Sequence, residues 1–213
     1  MEKFIINIGR QLGSGGREIG KLLASKYGIA YYDKELIRIA SEESGLCSDL
    51  FEKADEHNRR SIVGGVFGMR FPFVGEGTIG QGNYLNNDTL FKIQSDVIRK
   101  LAQKESCIFI GRCADYILRE HPYCINIFIS ASPEDRVARI CKNYEVKEQK
   151  AERLMEEADR RRADYYNFYS LKQWGHASSY DLCINSSILG IQETTLFIQQ
   201  FIEKKLNSNS TNF

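Results

Sequence analysis

Ile8-Gly9-Arg10-Gln11-Leu12-Gly13-Ser14-Gly15-Gly16-Arg17-Glu18 is the stretch on which the fold turns. Ahead of it, Phe4 to Ile8 is a short apolar run of strand type. Behind it, Ile19, Leu22, Leu23 and Tyr27 repeat at helical spacing until Gly28 stops the pattern. Strand, glycine-rich turn and helix is the arrangement in which backbone N–H groups converge on an anion at a helix N-terminus. A tight turn with no ligand would use the same glycines, so the spacing alone leaves both readings open. The strict phosphate-loop pattern G-x-x-x-x-G-K-[ST] is not met. Aligning Gly13-Ser14-Gly15 on its core puts Gly16 where the phosphate-contacting lysine stands and Arg17 where the magnesium-bound Ser or Thr stands. The dinucleotide pattern G-x-G-x-x-G fits worse, because Glu18 falls at its third glycine.

Working outward, Ile29 to Tyr32 reads as a second strand, and Asp33 caps a helix through roughly Glu43. A short helix follows Ser48. The segment 59–87 carries no sustained period and reads as a long loop whose aromatics suit either a mobile role or a homodimer contact. The helical period resumes from Thr89 to Leu101, and Cys107 to Ile110 is a buried strand. Cys124 to Ile129 is another strand, followed by a strong helix start at Ser132-Pro133-Glu134-Asp135. A charged helix spans about 147–169, Asp181 to Ile184 supplies a fifth strand, and Gln192 to Leu206 a final helix. Five buried strands alternating with helices predict an α/β fold with a five-stranded parallel sheet between two helical layers.

The 213 residues suit one domain over 1–206, with a frayed tail at 207–213. Lys and Arg number 29 against 28 Asp and Glu, which leaves no excess of positive charge for a generic nucleic-acid binder. Of 17 glycines, six lie between Gly9 and Gly28 and seven between Gly64 and Gly82, so two separate causes are needed. The six cysteines form no C-x-x-C pair and no zinc spacing with the histidines; Cys107, Cys124 and Cys183 read as small hydrophobes within strands. Met1-Glu2-Lys3 leads into an apolar stretch too short for a signal core or a membrane span, and the expectation is a reduced, cytoplasmic protein.

Five ordered segments resemble one family. They are Ile8 to Ala24, Tyr32 to Ile37, Ile110-Gly-Arg-Cys-Ala-Asp-Tyr-Ile-Leu118, Ala131 to Arg139, and Asp159-Arg-Arg-Arg-Ala-Asp-Tyr-Tyr166. Together they resemble the cytidylate kinase-like family of P-loop nucleoside monophosphate kinases, from about residue 4 to about residue 203. The resemblance implies a three-layer P-loop fold with an acceptor-binding insertion at about 34–105 and a lid at about 145–170. It implies phosphoryl transfer from ATP, with Mg2+ arriving on the nucleotide, to a nucleoside monophosphate, CMP or dCMP first.

Gly13, Ser14, Gly15, Gly16 and Arg17 would then hold the ATP phosphates, with Arg17 or Arg10 supplying the missing lysine's charge. Asn185 and Ser186, after the last strand, resemble the loop beside the adenine. Arg160, Arg161 and Arg162 would be the lid's catalytic cations, although consecutive helical positions point about 100° apart and only one or two can face a single phosphate. Acceptor binding would fall to Asp33, Arg38, Gln94, Arg112, Asp115 and Asp159. Asp33 reads equally as a plain cap, Arg17 and Arg112 as ordinary surface charges, and the lid segment as a solvated helix. Cys113 stands where the family's Gly-Arg-Asp motif has its aspartate, and Asp115 is the nearest substitute. No dedicated metal site is expected; water or Ser14 would fill the place of the absent hydroxyl ligand. Two alternatives fit the departures: a nucleotide-binding regulator without kinase activity, and a P-loop kinase of another small acceptor.

Overall fold

The computed structural model describes residues 3–33, 39, 42 and 87–210. The chain forms two compact units, residues 1–33 with 101–213, and residues 34–100. In the first, β1 (Ile5–Arg10), β2 (Ala30–Tyr32), β3 (Cys107–Ile110), β4 (Cys124–Ser130) and β5 (Leu182–Asn185) form a five-stranded sheet in the order β2-β3-β1-β4-β5. All neighbours are parallel. Strands β1 and β3 are apolar almost throughout, as a sheet covered on both faces requires.

Register stacks Ile6 and Ile8 of β1 beside Ile108 and Ile110 of β3 and Ile125 and Ile127 of β4. Over this face lie Ile19 and Leu23 of α1 (Gly16–Tyr27) and Ile198 and Ile202 of the last helix, forming the main core. A second layer follows from Phe128 of β4, whose ring meets Trp174 and Tyr180, while Tyr180 stacks on Tyr166. The aromatic residues near 165–174 thus include packing groups.

The remaining helices are α2 (Asn87–Lys104), α3 (Ala114–Ile117), α4 (Pro133–Tyr144), α5 (Glu148–Ser170) and α6 (Ser186–Ser210), with a 3-10 turn at Ala177–Ser179. Ser132 caps α4 as expected, its hydroxyl accepting from Asp135 N at 3.3 Å. Three expectations need correction. Strands β2 and β5 are the sheet's edges and only partly buried, and Cys183 on β5 is exposed rather than part of a core. Helix α6 begins at Ser186, turns at Gly190 (φ 74°) and runs through Ser210, beyond both ends of the helix expected over Gln192 to Leu206. Short α3 follows a backbone conformation that apolar periodicity does not report. The segment 59–87, apart from Asn87, and Arg38 lie outside the described residues.

Candidate functional site: an arginine-lined glycine loop

Three neighbouring strands, β2, β3 and β1, end side by side and deliver Asp33, Arg112 and Arg10 to one edge of the sheet. That edge, beyond the carboxyl ends of parallel strands, is where open α/β sheets place ligands. The loop from Gln11 to Gly15 leaves the central strand there and opens into α1. Its first-turn amides have no partner within the helix, as at every helix N-terminus.

The loop's shape is fixed by its neighbours. Gly13 has φ 77°, and a Cβ on it would stand 2.6 Å from the carbonyl oxygen of Arg136, so close approach and backbone angle both require glycine. Buried Arg136 of α4 donates from Nε to Leu12 O at 2.7 Å and forms an ion pair with Asp159 of α5. Asp159 accepts from Leu12 N at 2.8 Å and pairs with Arg162 at 3.3 Å. Arg139 donates to Gly13 O at 3.1 Å and to Ser186 Oγ at 3.4 Å. Ser186 in turn donates to Ser14 O at 2.7 Å. Ser14 is fully buried and its hydroxyl donates to Gln11 O at 2.9 Å, so that hydroxyl serves the loop itself.

The cationic side of the site is built from Arg10, Arg17, Arg112 and Arg162. Asp33 Oδ2 lies 2.8 Å from Arg17 Nε, and its other oxygen 3.6 Å from Arg10 Nη2. Burial lowers the Arg10 pKa well below the usual arginine range, with Arg162, Arg17 and Arg112 adding repulsion and Asp33 opposing it. Burial also lowers the Arg112 pKa, and it brings Arg162 down to about 10 with help from Arg17. Gly111, Arg112 and Cys113 are three consecutive left-handed residues at φ 71°, 66° and 55°. For Arg112 and Cys113 that conformation costs about 1–2 kcal/mol each, and strain of this kind clusters where a side chain must be aimed.

Not every expected residue enters this cluster. Of the arginine triplet, Arg162 turns inward and donates to Arg10 O at 3.2 Å, Arg161 pairs with Glu157 at 3.5 Å on the outer side, and Arg160 is exposed. Asp115 is buried and accepts from Tyr166 Oη at 2.7 Å. Burial raises its pKa, which Tyr166 and Lys172 oppose. Cys113 is buried too, and desolvation pushes its thiol far above the ordinary range. Asn185 is exposed and its Oδ1 accepts from Ser187 N at 2.9 Å. Gln94 is buried on α2, within the second unit. Arg136 and Arg139 were missed by sequence reasoning. Their only signal is a pair of cations at i and i+3 within the Ala131 to Arg139 segment.

A five-stranded parallel sheet in this order, with a glycine loop following its central strand, defines the P-loop kinase fold. Two shikimate kinases share it. That of Bacteroides thetaiotaomicron is 12% identical, with TM-score 0.53 over 94% of this chain and 98% of that one. That of Acinetobacter baumannii is 13% identical, with TM-score 0.52 over 95% and 94%. An uncharacterized protein from Eubacterium ventriosum ATCC 27560 is nearer, 29% identical with TM-score 0.68 over 94% of this chain and 99% of that one. No curated protein matches the sequence. The chain belongs to the cytidylate kinase-like family, whose model matches residues 5–188. No helix among the described residues is long and apolar enough to cross a membrane.

Proposed function

We propose that this cytoplasmic protein transfers the γ-phosphoryl group of ATP to a nucleoside monophosphate, with CMP or dCMP as acceptor (ATP + CMP gives ADP + CDP). The observation that carries the reading is the convergence of Arg10, Arg17, Arg112 and Arg162 at the loop, with Asp33 ion-paired to both Arg10 and Arg17. Phosphoryl transfer needs positioning and positive charge more than covalent chemistry from the protein. Amides of Gly13 to Arg17 would cradle the β-phosphate, Arg17 and Arg162 would face the transferring group, and Arg112 would hold the acceptor. The acceptor's phosphate oxygen bonds to the γ-phosphorus as the bridging oxygen leaves with ADP.

The choice of a phosphate acceptor has its own support. A phosphomonoester is already ionised at neutral pH, with its second pKa near about 6, so its oxygen attacks without a general base. A hydroxyl acceptor needs one, and the Asp33 carboxylate at this edge is already engaged by two guanidinium groups. The donor set does not fit a protein-held magnesium ion: Ser14 Oγ serves Gln11 O, and Arg17 occupies the usual hydroxyl position. Magnesium would travel on the ATP phosphates, where it neutralises charge.

The test is ADP release from Mg-ATP by the purified full chain, with CMP, dCMP, UMP, AMP and GMP offered singly. Turnover that depends on the cytidine nucleotides is expected; a panel with no turnover above background overturns the reading. One observation favours a second reading, a nucleotide-binding regulator: Gly16 and Arg17 replace both conserved-pattern side chains of the loop. Tight nucleotide binding by calorimetry without turnover would support it. Cys113, buried where the resembling family's aspartate would meet the base, motivates a third, a P-loop kinase of another small acceptor, hydroxyl or phosphate.

A further inference from the structure

We propose that Arg10 carries the charge that a lysine at position 16 carries in the strict phosphate-loop pattern, its side chain crossing Gly16 from the end of β1 to lie against Gly111. The inference rests on the phosphotransferase reading above and says which of two candidate cations serves it.

The first support is volume. A Cβ on Gly16 would stand 2.7 Å from Arg10 Cβ and 3.1 Å from its Cγ, so any side chain at 16 competes with the Arg10 stem. At the other end of the same side chain, a Cβ on Gly111 would collide with Arg10 Nη1 and stand 3.2 Å from Cζ. Two glycines from separate elements therefore clear a path for one arginine. The lysine's absence at position 16 and the presence of Arg10 become a single feature.

The second support is the state of the guanidinium. Arg10 is only 13% exposed along its side chain, and its contact with Asp33, at 3.6 Å, is too long for a hydrogen bond. Its buried Nε has no hydrogen-bond partner among the described residues. Its charged neighbours are mostly arginines, and burial among them lowers its pKa. A phosphate would supply both the missing acceptors and the missing negative charge. Arg17 differs in exposure and in charge pairing, being 36% exposed with its Nε 2.8 Å from an Asp33 oxygen, although that Nε, like the one of Arg10, has no hydrogen bond of good geometry among the described residues.

The experiment measures binding of inorganic pyrophosphate and Mg-ADP to the full chain by calorimetry, with thermal unfolding to confirm folding. Arg10→Met keeps most of the stem and removes the charge. It should weaken both ligands by at least about tenfold, the worth of one charge-assisted hydrogen bond. Arg17→Met should weaken them less. The decisive arm moves the charge: Arg10→Ala with Gly16→Lys should bind more tightly than Arg10→Ala alone, a rescue that a merely structural role would not give. Wild-type affinity in Arg10→Met, a larger loss in Arg17→Met, or no gain from the added lysine each overturns the proposal. If the wild-type chain itself binds neither ligand, the phosphotransferase reading falls and takes this one with it. If the wild type binds and turns over and Arg10→Met matches it, only this one falls.

Discussion

Two groups of arginines border the same loop. Arg136 and Arg139 reach it from α4 and donate to the carbonyls of Leu12 and Gly13, and the charge of Arg136 is matched by Asp159. Arg10, Arg17, Arg112 and Arg162 reach it from strand ends, α1 and α5, where Asp33 and a share of Asp159 are the compensating carboxylates. The side chain is the same; the partner decides the role. Arg136 and Arg139, whose donors end on the loop's own carbonyls, hold its shape, whereas the crowded guanidinium groups at the strand ends, where burial lowers the pKa values of Arg10, Arg112 and Arg162, form the proposed anion site. Asp159 joins the groups, since it binds Arg136, Arg162 and Leu12 N together.

The largest effect expected from breaking this contrast is on stability, on the shape-holding side. Arg136→Met strips a buried ion pair of one partner and leaves Leu12 O without its donor. Removing one member of such a pair costs about 3–5 kcal/mol, and the lower end applies here because Arg162 still compensates Asp159. Urea unfolding would measure it. A loss below about 1 kcal/mol would place Arg136 among the surface charges, where sequence reading alone would leave it.

The contrast also explains what the sequence could convey. The central strands were legible because both faces are buried and the runs 5–8, 107–110 and 125–129 are apolar but for Asn7 and Asn126. Their neighbours β2 and β5 were less so, since an edge strand need only be half apolar. The loop was legible because glycine at close spacing has few other causes. Arg136 and Arg139 were not, because their partners are carbonyl oxygens some 124 and 126 positions away, and every residue carries a carbonyl. Asp33 read equally as a helix cap and as an acceptor-site residue, and its ion pairs with two arginines follow from the adjacency of β1 and β2 around β3, which the sequence does not display.

A middle-sized effect sharpens the link between α5 and the strand ends. Tyr166, one turn beyond Arg162 on α5, donates to buried Asp115, three residues after Arg112. Tyr166→Phe deprives a buried carboxylate of a donor, at about 1–3 kcal/mol near neutral pH. Burial holds the folded pKa of Asp115 above its unfolded value. This group therefore favours the folded state most when protonated, and that contribution is lost as pH rises through the folded pKa. Losing Tyr166 raises the folded pKa further, so the variant's deficit should be smaller at pH 4 than at pH 7. A deficit independent of pH would mean that the phenol contributes packing alone.

The smallest effect separates neighbours that the sequence presents as equals. Arg161 and Arg162 are adjacent on α5, yet helical geometry turns them about 100° apart. Arg162 is 17% exposed and reaches Arg10 O and Asp159, whereas Arg161 is 38% exposed and reaches only as far as Glu157, one turn back on its own helix. An exposed i,i+4 pair of this kind is worth about 0.3–0.5 kcal/mol and is weakened by salt. Arg161→Ala should therefore cost no more than about 0.5 kcal/mol in thermal or urea unfolding, less again at high salt. Arg162→Ala removes a half-buried cation that helps to hold Asp159, and its cost should be several times larger. Equal costs would mean that the phase of α5 does not select between them, and the division of the triplet into one inward and two outward arginines would fail with it.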